Sequence, residues 1–397
     1  MRSLILTAFT LSLTLSGATR AQTDWEPTPF APADAHAPTP LPDRVVLTWA
    51  DDPATTQSVT WRTDVSVKQG LVQVALASGN GRAMQPREVP AATEAFTSDI
   101  NEAHYHSATI RDLEPDTLYA YRVGDGVNWT EYYHFKTASD RARPFSFIYF
   151  GDAQNDVRTH WSRVFREAFR DAPRAAFTLH AGDLIDHEDR DGEWGDWHQG
   201  PDWVNGTIPM LALPGNHEYR RVNQGPQNER YWNTRSDGQI EVVTTAFAET
   251  STDQGTVYSI TVAGPDGTTG DLTLSDGGVI TSVSDGVTAI SGFTAEELLG
   301  TSYYRAPLFD HQRDRGDPAI SLQWRPQFAF PVQDIPNDAL AETVYYIDYQ
   351  GTRLIALNSN EDTESQVAWL RNALENNPNR WTVVTFHTHL FSGVGSR

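Results

Sequence analysis

Hydrophobic and polar positions change period several times along the chain, and each change marks a unit. Behind Arg2, an apolar run from Leu4 to about Leu15 ends in small residues at Ala18 or Ala21. That is the form of a signal peptide over residues 1–21, too short for a comfortable membrane span. Residues 22–42 are rich in Pro, Ala and Thr without a hydrophobic period, and they predict an extended linker. From 43 to 138, short alternating runs at 45–49, 58–62, 71–74, 106–110, 118–123 and 132–135 are separated by turn residues, the spacing of a small β-sandwich.

Over 144–219 the pattern becomes strand, helix, strand. Residues 145–150 form a continuous apolar run suited to a strand buried on both faces. Val157, Trp161, Val164, Phe165, Ala168 and Phe169 then fall at helical spacing, with Asn155 or Asp156 as the N-cap, and 175–179 and 208–213 predict two more strands. This is the order of a layered α/β domain. Residues 220–319, rich in Thr, Ser, Gly and Asp, predict a β-rich insertion whose one convincing helix signal is the capping box of Thr294 and Glu297. The α/β order returns over 320–397. Runs at 344–349 and 352–358 predict a strand pair turned at Gln350-Gly351. A helix follows, boxed by Thr363 and Gln366 with Val367, Leu370 and Leu374 on one face, and a strand at 381–386 leads into His387.

Composition adds limits. With 39% hydrophobic and 11% aromatic content, 397 residues supply two or three real cores. A net charge of −22 argues against nucleic acid or an anionic membrane surface as a standing partner. Cysteine is absent, which excludes disulfides and a lipid-modified N-terminal Cys. No run after the signal peptide is long and apolar enough to cross a bilayer, so the expected location is periplasmic or secreted.

Three loops, each just after an apolar run, concentrate the chemistry: Gly151-Asp152-Ala153-Gln154, Gly182-Asp183-Leu184-Ile185-Asp186, and Gly215-Asn216-His217-Glu218-Tyr219. Loops beyond the carboxyl ends of strands converge in open α/β sheets, and His387 occupies the same place after a fourth strand. Carboxylate and amide oxygens with imidazole suit Fe, Zn, Mn or Mg. Two such cations about 3.5–4 Å apart clamp a phosphoryl group and lower the pKa of a bound water to ~7.

The ordered set Gly151-Asp152, Gly182-Asp183, Gly215-Asn216-His217-Glu218 and Val383-Val384-Thr385-Phe386-His387 resembles the calcineurin-like metallophosphoesterases, within them the purple acid phosphatase-like group. The segment Leu113 to Val123, with its corner Tyr, resembles the fibronectin type III pattern of that group's N-terminal domain. The resemblance implies a fold class of multidomain β plus α/β: an N-terminal β-sandwich followed by an α/β/β/α metallophosphoesterase domain, C-terminally incomplete, with a β-rich insertion. It implies that Asp152 binds the first metal, Asp183 bridges, and Asn216 and His387 bind the second. His217 would hydrogen-bond a phosphoryl oxygen or protonate the leaving group, with Glu218 either as its partner or as a surface carboxylate. Three departures stand out. Asp186, a further candidate for a metal or outer position, replaces the family's colour-giving Tyr, so the protein should not be purple. Gln154 replaces a His, as a metal or outer ligand. The family's closing Gly-His-x-His loop is missing, and His389 is a weak substitute for it. His160, His180, His187 and His198 have no partner spacing and read as structural or surface residues. The expected activity is an exported metal-dependent hydrolysis of phosphate monoesters by a two-metal-activated hydroxide. Its rivals are a truncated, non-catalytic secreted binding module and a phosphodiesterase or nucleotidase of the same fold.

Overall fold

The computed structural model describes residues 30–222, 231–235, 238–252, 255–275, 279–301, 317–335 and 337–388. The signal-peptide segment and His389 lie outside them. Within the segment expected to be an extended linker, α1 (Pro32–Ala35) makes one helical turn, with Pro at its start where no N–H is needed.

Eight strands build the N-terminal sandwich: β1 (Asp43–Thr48), β2 (Gln57–Thr63), β3 (Leu71–Leu76), β4 (Arg87–Pro90), β5 (Ala92–Thr97), β6 (Glu102–Ile110), β7 (Leu118–Gly124) and β8 (Tyr133–Lys136). They pair as two sheets of order β1-β2-β6-β5 and β4-β3-β7-β8. Val45, Leu47, Val59, Trp61, Val72, Val74, Tyr121 and Phe135 fill the space between. At the corner before β7 the Glu114 N–H donates to the Tyr119 hydroxyl at 2.9 Å. Sequence reading missed β4 and β5 because both are mostly exposed edge strands with few large apolar residues.

The following domain has four layers. Strands β9 (Ile148–Phe150), β10 (Thr178–His180) and β11 (Met210–Ala212) form one parallel sheet, and α2 (Val157–Asp171) seats Val157, Trp161 and Phe165 against it. Asp156 is the N-cap of α2, but its φ of 52° is left-handed and its side chain makes no capping bond. Between β10 and β11 lie α3 (Asp191–Gln199), polar and with two glycines, and the single-turn α4 (Asp202–Asn205), neither of which carried a periodic signal.

The insertion leaves this domain through a two-stranded stem, β12 (Tyr219–Val222) against β19 (Asp317–Ile320). Between them come the hairpin β13 (Tyr231–Thr234) and β14 (Gly238–Glu241), then the antiparallel meander β15 (Val243–Thr252), β16 (Gly255–Ala263), β17 (Thr269–Leu274) and β18 (Ile280–Val283). Two helices follow, α5 (Asp285–Ser291) and α6 (Ala295–Leu298), the latter opened by the expected Thr294/Glu297 capping box. Trp232, Val242, Ile260, Leu272, Val287 and Leu298 give the insertion its own core.

After α7 (Trp324–Gln327), the second sheet consists of β20 (Tyr345–Tyr349), β21 (Thr352–Ala356) and β22 (Trp381–Thr385). The β20–β21 turn carries Gln350 at φ 47° and Gly351 at φ 88°, the handedness a two-residue hairpin favours. Helix α8 (Ser365–Glu375) covers the outer face. Its buried face differs from the expected one. Gln366, Trp369 and Ala373 are buried, while Val367 and Leu374 are exposed. Glu364 is its N-cap, without a side-chain bond. The Gln366 oxygen instead accepts the Asn358 N–H at 3.0 Å, which fixes the loop leaving β21.

Both sheets of this domain face each other in one core that also takes Val46, Trp49, Ala54 and Ala138 from the sandwich side. The Trp49 ring lies 5.7 Å from that of Phe177 and 5.2 Å from that of Tyr349.

Candidate metal centre

The parallel register of β9, β10 and β11 brings their carboxyl ends level, and the three loops leave from there. Main-chain bonds knit them together: Asp152 N to Gly182 O at 3.2 Å, and Gln154 N to Asp183 O at 3.0 Å. Asp152 and Asp183 both sit at left-handed φ, 53° and 54°, a conformation Asp tolerates better than most residues. Gly182 and Gly215 pack backbone to backbone, and a Cβ on either would collide with the facing loop.

Asp183 is 2% exposed. Its Oδ1 accepts the His217 N–H at 3.0 Å, and its Oδ2 accepts from Gln154 Nε2 at 2.9 Å and faces His387 Nε2 at 3.3 Å. Burial opposes ionisation, but the bonds from His387 and the His217 N–H, with the charges of both rings, hold its pKa below the ordinary value. His387 arrives from β22. Its Nδ1 donates to Ala181 O at 2.9 Å, and Nε2 lies 3.1 Å from Asn216 Oδ1. Burial disfavours the charged ring, yet the bonds to Asp183 and Ala181 push its pKa up to about 9.

Asp152, Asp183 and His387 each offer a ligand atom, all within 4.8 Å of one another. Asn216 joins through its oxygen. The donor set is hard oxygen plus imidazole, and Gln154 Oε1 is buried without a hydrogen-bond partner, as a group next to a cation site would be. These residues fit metal ions. Asp186 stands outside this group: its carbonyl accepts from His217 Nδ1 at 2.7 Å, and it clusters with His187 and Glu193.

Glu218 differs from the expectation that it would partner His217. Fully buried, it accepts the N–H groups of Asp183 (2.8 Å), Leu184 (2.6 Å), Ile185 (3.4 Å) and Gly215 (2.6 Å), stapling two of the loops. The reason is reach: His217 points toward Asp186, away from the Gly215 turn that Glu218 closes. Burial and the nearby Asp183 raise the Glu218 pKa to about 7 against the pull of these N–H donors. Glu218→Ala would leave four buried N–H groups without an acceptor. The expected loss of unfolding free energy is about 3 kcal/mol or more, read by urea titration, with Glu218→Gln recovering part of it.

His187 likewise is not the isolated residue its spacing indicated. Its Nδ1 lies 2.9 Å from Glu193 Oε1 and 3.3 Å from Asp186 Oδ2. His180 and His198 are buried, as expected, and His160 is exposed. Glu193 and Asp191 went unnoticed because the helix that presents them, α3, has no hydrophobic period.

A β-sandwich followed by an α/β domain with a carboxylate–imidazole cluster beyond its strand ends defines the class of the molecule. Residues 42–137 match the purple acid phosphatase N-terminal domain, and residues 145–338 match the calcineurin-like phosphoesterases. The chain is thus similar to the purple acid phosphatases in its N-terminal domain and to the calcineurin-like phosphoesterases in the domain that follows. Acid phosphatase type 7 of Mus musculus is 26% identical over 233 residues, 54% of this chain and 51% of the mouse protein. The fold is shared with the purple acid phosphatase PPD1 from yellow lupin (Lupinus luteus) seeds, at a TM-score of 0.52 and 13% identity over 87% of this chain and 50% of the lupin chain. The chain thus spans about half the length of these relatives. For its cluster the family implies a dinuclear metal centre. Among the described residues no helix is long and apolar enough to cross a membrane.

Proposed function

We propose that the protein is an exported phosphomonoesterase whose activity depends on two metal ions, Fe, Zn, Mn or Mg, held by Asp152, Asp183, Asn216 and His387. The observation that carries this reading is the convergence of these four side chains from the ends of β9, β10, β11 and β22 around the buried Asp183 carboxylate. When bound, the cations supply positive charge that draws in phosphoryl oxygens and acidifies a water.

The protein's own groups divide the remaining work. Asp183 presents Oδ2 to His387 Nε2 while its Oδ1 is held by the His217 N–H, which fixes the carboxylate at the centre of the four residues and supports a bridging role for it. A carbonyl only accepts, so the Ala181 bond fixes the His387 proton on Nδ1 and leaves Nε2 as the donor atom toward the cluster. By the same logic, Asp186 O fixes the His217 proton on Nδ1 and turns Nε2 toward Asp183 Oδ2, 4.0 Å away. There Nε2, when the ring takes up a second proton, can donate it to a phosphoryl oxygen or pass it to the leaving oxygen. The stem β12–β19 roots the insertion directly after His217, which supports a role for the insertion in restricting substrates. The apolar run behind Arg2 supports export.

The purified protein should hydrolyse p-nitrophenyl phosphate when supplied with one of these metals, lose the activity in chelator, and act more slowly on bis(p-nitrophenyl) phosphate. Bound metal without turnover would favour the binding-module reading. A preference for the diester would favour a phosphodiesterase.

A further inference from the structure

Helix α3 touches both domains within its first turn. Its leading residue, Asp191, is 2% exposed and faces the sandwich: Arg44 reaches it with both terminal nitrogens, at 2.5 and 3.0 Å, and Arg62 Nη1 lies at 3.3 Å. The Asp191 N–H donates to Asp99 Oδ1 at 2.8 Å. Two residues on, Glu193 faces the catalytic loops. Its Oε2 accepts the N–H groups of Asp186 at 2.9 Å and His187 at 2.8 Å, and its Oε1 lies 2.9 Å from His187 Nδ1. The Asp186 carbonyl then accepts from His217 Nδ1 at 2.7 Å.

We infer that Glu193 is a positioning residue for His217, acting through the Asp186 carbonyl, and that Asp191 anchors it to the sandwich domain. The inference rests on the role of His217 at the phosphoryl group proposed above. Glu193 touches neither His217 nor Asp183. Its effect is to fix the Asp186–His187 main chain, and hence the carbonyl that selects the His217 tautomer and ring angle. A main chain held by one carboxylate relaxes when that carboxylate is removed. The imidazole then loses a fixed acceptor while every metal-site donor stays in place. Misplacement of a reacting group by about 1 Å costs up to ~10²-fold in rate, so the consequence falls on kcat.

The test uses the full chain, with histidine selectively labelled with 15N and His217→Gln assigning the signal. Wild type should show His217 as a single Nδ1–H tautomer. Glu193→Ala should mix the tautomers and lower kcat on p-nitrophenyl phosphate about tenfold to a hundredfold, with KM within about twofold. Glu193→Gln, whose amide oxygen still accepts the two N–H groups, should stay close to wild type. Glu193→Asp, too short to reach both, should fall between, and it reads the effect if the alanine variant does not fold. Arg190→Ala removes only the exposed cation 3.4 Å from the same carboxylate and should change neither readout. A wild-type tautomer pattern and kcat in all the Glu193 variants overturns the inference, and so does an equal loss in Arg190→Ala. If wild type itself lacks turnover, the phosphatase reading fails, and the tautomer pattern alone decides the role of Glu193.

Discussion

Asp183→Asn should lower phosphomonoester turnover by about 10³-fold or more and reduce bound metal, with an unfolding midpoint close to that of the wild type. The substitution removes the charge at the centre of the cluster and little else. Asn is among the few residues at ease at a φ of 54°, whereas Ala would add backbone strain to the loss of the carboxylate. An Asn oxygen in the Oδ1 place still accepts the His217 N–H. Its NH2 would meet the Gln154 NH2, two donors face to face, but Gln154 can turn its amide over and present the oxygen that has no partner in the wild type. The hydrogen bonds therefore close again around a neutral group. His387, whose ring is held at about 9 chiefly by Asp183 against the cost of burial, should titrate closer to the ordinary imidazole value. Unchanged metal content and turnover in this variant would remove Asp183 from the centre.

The second large effect lies outside the cluster. Asp191→Ala should destabilise the protein by about 3–5 kcal/mol, because it strands the Arg44 guanidinium, 6% exposed, without its carboxylate partner. Arg62 keeps Asp43, at 2.7 Å, so the deficit falls mainly on Arg44. Burial protects the network from screening, and urea unfolding at low and high salt should give the same loss, unlike that of an exposed pair. Replacing Arg44 and Asp191 together by Met and Leu should restore much of the stability, since an apolar pair of similar volume needs no desolvation. A loss below about 1 kcal/mol in Asp191→Ala would show that the network contributes little.

What was legible in the sequence follows from how each element is made. Strands with near-continuous apolar runs, such as those around Phe150 and Leu179, announced themselves, and so did the loops after them, because ligand residues at strand ends keep a fixed position relative to the run. Edge strands β4 and β5 did not, since strands with no fully buried residue leave no apolar pattern. Helix α8 was found, but its face was misassigned. Val367, Leu370 and Leu374 keep a helical spacing, yet Trp369 and Ala373 take the core, and Gln366 is buried because its amide serves a loop. Glu193 is the deeper miss, and Glu218 was found but given the wrong partner. Each holds main-chain N–H groups, a task that depends on where loops meet and on no spacing a sequence displays. Their one common sign was a carboxylate close to a metal-ligand loop, which also describes many surface residues.

The core that Trp49 shares with Phe177 and Tyr349, together with the Arg44–Asp191 ion pair, has a mechanical consequence. Domains that close over a substrate by hinging need an interface that can part at small cost, usually a modest and wet one. Here opening the junction would expose packed aromatic rings and separate buried charges at the same time. The sandwich and the catalytic layers therefore move as a single body. For the function proposed above, adaptation to substrates of different shape would therefore come from the rim, through the loops and the stem-borne insertion, while the floor of the site stays still.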